Sequence, residues 1–148
     1  MHPLARAAAA GLATGARSMT ALAACARTPG LGGRADRFLN RKRVRKSLTR
    51  SAALELVTDK LPVTPPRTAP PSVAARVTLG AVTGALVSAR AGGSGRSGAV
   101  FGAVASAAWT FAGPRYRSTA AARTGRDLPG AVLEDAAAVL LARGATRR

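Results

Sequence analysis

One cysteine, one histidine, six acidic residues and a 3% share of aromatic side chains are the scarcities of this 148-residue chain, and each excludes something. Cys25 alone cannot close an intramolecular disulfide, and with His2 as its only companion no Cys/His zinc cluster can form. A Ser/His/Asp or Cys/His catalytic group would depend on His2, close to the first residue, where a base is poorly held. Cys25 itself, in an alanine-rich stretch, reads as a small apolar filler. The sequence therefore points to no enzyme, no cofactor and no metal. Hydrophobic residues make up 47% of the chain, so with few aromatics the apolar count is mostly Ala, Val and Leu. Soluble cores draw their buried area from bulky side chains, whereas membrane helices pack through small ones.

What the chain has in excess is positive charge. Lys and Arg number 23 and the formal net charge is +17. Lysine occurs only at Lys42, Lys46 and Lys60, so arginine carries nearly all of it. Such a balance favours polyanions, either nucleic acid or the anionic face of a membrane. Coding bias toward Ala, Arg, Gly and Pro accounts for part of the excess. In Arg27 to Arg50, RKRVRK can be a phosphate-binding strip or a polybasic patch beside a bilayer. Only Phe38 interleaves aromatically, which weakens single-strand stacking and favours the juxtamembrane reading. Nucleic acid stays as the less favoured partner.

Along the chain, residues 1–26 read as one Ala/Gly-rich apolar helix, long enough to span but burdened by Arg17 near its middle. A secretory signal fits poorly because of Arg17, and a mitochondrial presequence is a rival. Residues 27–50 read as a basic linker, opened by Gly and Pro. Residues 51–148 follow as an amphipathic helix (SAALELVTDKLP), a proline-rich connection, a helical hairpin and a C-terminal Ala-rich helix. The hairpin arms, Val77 to Ala89 and Gly98 to Gly113, carry no charge and flank the turn RAGGSGRS. The second arm is about 24 Å long at 1.5 Å per residue, short for a span. Trp109, Phe111 and Tyr116 beside Arg115 and Arg117 suit the headgroup level.

Self-comparison finds one pattern three times: GLATGA (Gly11 to Ala16), GAVTGA (Gly80 to Ala85) and GAVFGA (Gly98 to Ala103). Four-residue spacing puts Gly11 with Gly15, Gly80 with Gly84, and Gly98 with Gly102 on one face each, extended by Ala7, Ser88 and Ser106. Such faces let helix backbones approach closely in lipid. The expectation is an all-α protein, a small membrane helical bundle with a glycine-faced hairpin.

The stretches Gly15-x-Arg17-Ser18, Glu55-x-x-x-Asp59-Lys60-x-Pro62, Arg67 and Glu134-Asp135 resemble a bacterial family of small multi-helix membrane proteins classed as a domain of unknown function. The resemblance covers about Ala9 to Ala142, and the basic stretch Arg34 to Arg50 departs from the pattern. It implies a membrane bundle and no established activity.

Glu55 and Asp59 share a helix face, where like charges call for a cation. The expectation is that Glu55, Asp59, Glu134 and Asp135 compensate arginines, chiefly Arg17 and Arg76, that apolar segments cannot carry alone. Together with Lys60 and Arg67 these are the candidate functional residues. The function expected is a helix-association module or a component for small-solute transport. The setting is the inner membrane, with anionic headgroups and further copies of the chain as partners. Counting cations places the basic linker in the cytoplasm and the hairpin turn on the opposite side. A soluble nucleic-acid-binding protein is the alternative.

Overall fold

The computed structural model describes residues 1–28, 30, 32–58, 68–124 and 128–147, so Asp59, Lys60, Arg67 and most of the proline-rich connection lie outside the described residues. All regular structure among the described residues is helical: α1 (Pro3–Ala16), α2 (Thr20–Arg27), α3 (Arg34–Leu39), α4 (Lys42–Thr58), α5 (Pro70–Arg90), α6 (Gly95–Thr124) and α7 (Leu128–Thr146).

The hairpin forms as its residues dictate. Pro70 and Pro71 start α5, where a missing N–H costs nothing. At the other end Gly92 takes a left-handed φ of 76°. Gly92 N–H donates to the Ala89 carbonyl (3.1 Å) and Gly93 N–H to the Ser88 carbonyl (2.9 Å), which closes α5 in a Schellman motif. α6 then returns antiparallel, and the four hairpin glycines meet across the pair. A Cβ on Gly84 would stand 2.8 Å from Gly102 Cα, and one on Gly98 would stand 2.5 Å from the Gly84 carbonyl oxygen. α1 lies in the groove of this pair. A Cβ on Gly11 would be 2.9 Å from Gly102 Cα, and one on Gly15 would be 2.5 Å from the Ser106 carbonyl oxygen. Thr14 Oγ1 and Thr83 Oγ1, from two of the repeated hexapeptides, lie 3.3 Å apart.

Three expectations are corrected. First, the single helix over residues 1–26 is two helices, because Arg17 is extended (φ −142°, ψ 106°) and the chain reverses through Ser18 and Met19. Second, the linker at 27–50 is helical from Arg34 onward. Val44 and Leu48, four residues apart, pack against the core, and that apolar inner face organises α4 despite its cations. Third, the second hairpin arm does not stop at Gly113 but runs through Pro114 to Thr124. Proline there removes one backbone bond, and the helix passes with that loss.

Contacts fix the two ends of the bundle. Pro3 approaches Gly93, Cys25 and Asp36 reach Arg90, and α7 ends against α2, so all of these lie at the turn end. This overturns the arrangement expected from charge counting. Asp36 pairs with Arg90, which brings the start of the basic stretch to the hairpin turn rather than to the opposite end.

The interior is built from small residues, chiefly alanine, together with buried polar groups. The largest fully buried side chains are Arg17, Glu134, Val87, Thr14, Thr83, Thr110, Cys25, Ser88 and Ser106, while Val100, Phe101, Val104, Phe111, Leu133 and Leu140 are exposed. The buried hydroxyls donate within the bundle: Thr14 to the Ala10 carbonyl, Thr83 to that of Leu79, Ser106 to that of Arg76 and Ser88 to that of Ser94, each at 2.9 Å. α5 is the one helix among the described residues that is long and apolar enough to cross a membrane.

Candidate functional site: a buried arginine–carboxylate cluster

At the end of the bundle away from the turn, α1 stops and the chain doubles back into α2. Such a reversal leaves carbonyls at the end of one helix and N–H groups at the start of the next without helical partners. The N-cap of α2 is Met19, whose side chain cannot cap. Glu55 supplies the cap from α4: Oε1 accepts from Ser18 N–H at 2.7 Å and Oε2 from Met19 N–H at 3.0 Å. A carboxylate at a helix N-terminus also meets the positive end of its dipole. The carbonyl side is served by Arg76, whose Nη1 donates to the Gly15 carbonyl oxygen at 2.8 Å. Arg76 Nη2 stands 3.6 Å from Glu55 Oε1, so one cation and one anion close both halves of the break.

Arg17 sits at the break itself and turns inward, 2% exposed. Its Nε donates to Asp135 Oδ1 at 2.6 Å, and Nη2 pairs with the same oxygen. Glu134, also 2% exposed, accepts from Trp109 Nε1 at 3.3 Å. Two guanidiniums therefore face three carboxyls inside a shell of alanine, glycine and hydroxyl groups. A cation so buried is tolerated only when paired and hydrogen-bonded.

No protein family, curated protein or solved structure matches the chain.

Four of the residues singled out in the sequence, Arg17, Glu55, Glu134 and Asp135, come together with Arg76. The six repeat glycines instead form the α1–α5–α6 contact. Sequence reasoning missed three participants. Trp109 donates its Nε1–H to Glu134. The backbone of Ser18 and Met19 is the partner of Glu55. A second charged site joins Arg90 to Asp36 at 2.6 Å and to the Cys25 carbonyl at 2.9 Å, with Cys25 itself buried. Asp36 is the lone acid of the basic stretch, and that isolation was the signal available. Among the described residues no group of three His, Cys, Asp or Glu could hold a metal ion.

Proposed function

We propose that the chain is an integral membrane protein, a helical bundle associated through small-residue faces, and that its role is structural rather than catalytic. The observation that carries this is a ring of exposed large apolar side chains around an interior of small residues and paired charges. In water an exposed Val104 (64%) and Leu140 (67%) cost free energy and a buried Arg17 costs more. In lipid the apolar exterior is at home, and polar groups belong in the bundle interior, paired. α5 has 21 residues, about 32 Å, against a hydrocarbon core of about 30 Å. Of the residues that carry the family resemblance, Arg17 and Asp135 pair inside the bundle, and Glu55 pairs there with Arg76. Cations at the turn end, including those of α3 and the start of α4, assign that end to the cytoplasm, so turn and basic stretch share one side.

A second reading, passage of a proton or small solute, rests on the third carboxyl. Glu134, buried beside Trp109, is the polar side chain such a path would meet inside the cluster. The soluble nucleic-acid binder is supported by the exposed cations of α4 alone. Carbonate washing of membranes separates these classes. The membrane protein stays in the pellet, whereas release into the wash fraction refutes the membrane reading and leaves the nucleic-acid binder.

A further inference from the structure

Two hollows adjoin on the face made by α2, α4 and α7. The first, of about 590 Å³, is lined by Arg27, Lys42, Arg45, Lys46, Thr49 and Arg50. Positions 42, 45, 46, 49 and 50 fall on one side of α4, at spacings of three and four residues. None of the five cations forms an ion pair among the described residues. The second hollow, of about 380 Å³, shares Arg27 and Thr49 with the first, has Thr28, Arg143 and Thr146 at its turn-end rim, and continues along an apolar wall of Ala24, Ala53 and Val139. α4 runs away from the turn end, so the cationic hollow lies toward that end and the apolar one deeper along the helix axes. A cluster of five unneutralised cations repels itself and calls for an anion, and an adjoining apolar groove calls for a hydrocarbon chain.

We propose that this face holds one anionic phospholipid, its phosphate among Arg27, Lys46 and Arg50 and one acyl chain along Ala24, Ala53 and Val139. Basic pockets between helices on the cytoplasmic side are suited to such headgroups. The site rests on the membrane reading above. Its depth follows from the fold: the charged end of the lipid meets the turn end, and the tail runs parallel to α2 and α7 toward the bundle centre. The basic first half of α4, Lys42 to Arg50, is thereby explained as a binding wall rather than a solvated linker.

The test uses the full chain in a nonionic detergent, titrated with phosphatidylglycerol or phosphatidylcholine and followed by native mass spectrometry. Wild type binds one phosphatidylglycerol in clear preference to phosphatidylcholine. K46Q/R50Q weakens that binding about thirtyfold, about fivefold for each of the two cations removed. The variant A53F, which fills the apolar hollow from an exposed position, weakens the lipid but leaves the binding of glycerol phosphate unchanged. Equal binding of the two lipids, or full retention by K46Q/R50Q, overturns the proposal. So does displacement of the lipid by glycerol phosphate or a short oligonucleotide at equal concentration, which would assign the cations to a free phosphate or to nucleic acid. Carbonate washing of the same membranes keeps the two claims apart. Loss of lipid preference with the protein still in the pellet sinks the site alone, and release sinks the membrane reading.

Discussion

A single methyl group added at Gly102 probes the bundle where three helices meet. Its Cβ would stand 2.9 Å from Gly84 Cα and 3.1 Å from the Gly80 carbonyl carbon, with the Gly80 oxygen nearer still. Carbon atoms rest at about 3.5–4.0 Å, so α5 and α6 must part by roughly 1 Å, because both obstacles are backbone and no side chain can swing aside. Overpacking of this kind costs about 1–3 kcal/mol. Alanine repays about 1 kcal/mol through its helix propensity. The expected net loss in Gly102→Ala is about 0–2 kcal/mol, a fall in melting temperature of up to about 8 °C. Gly144, in α7, is the control, since nothing lies within 4 Å of the Cβ it would carry. There only propensity acts, and Gly144→Ala gains about 0.5–1 kcal/mol. Thermal unfolding followed by helical circular dichroism in one nonionic detergent compares the two. If Gly102→Ala melts at or above Gly144→Ala, the close glycine contact does not exist in the folded chain.

The charged cluster gives two more expectations. Arg17→Met strands Asp135 beside an apolar side chain and costs about 3–5 kcal/mol, while Arg17→Met with Asp135→Leu recovers much of that loss; a double-mutant unfolding cycle without coupling would refute the pairing. Glu55→Gln keeps one acceptor and loses the charge, costing about 2 kcal/mol. Its specific mark is faster hydrogen exchange at the Ser18 and Met19 amides, and unchanged protection there would show that Glu55 is not their cap.

Much of this was readable in the residues. Repeats of G-x-x-x-G-A gave both arms of the hairpin and the face of α1, because a glycine pair at that spacing has few other uses in an apolar helix. Scarcity made the acids legible: with six in the chain, Glu55, Glu134 and Asp135 had to be matched to buried arginines, and two of the three are seen in ion pairs. The break at Ser18 was hidden, since alanine-rich sequence on both sides favours helix and the group that stabilises the reversal comes from α4, far along the chain. α4 was hidden for a related reason. Its cations dominate the composition, while its inner face consists of little more than Val44, Leu48 and Ala52. The partner of Trp109 was hidden because Trp109 and Phe111, two residues apart, point in different directions on a helix: Trp109 reaches inward to Glu134 and Phe111 outward. Charge counting along the sequence could not see that Asp36 draws the basic stretch to the turn.

The central claim is that lipid covers the outer face of α6. A nitroxide spin label on V104C, in a Cys25→Ala background and in native-like bilayers, reads this directly through collisions with oxygen and with a water-soluble nickel chelate. Val104 is exposed in the folded chain, so nothing in the protein itself shields it. Collisions dominated by oxygen, with little from nickel, are the predicted result. A label that meets the nickel chelate as freely as one on S97C beside the turn would contradict it.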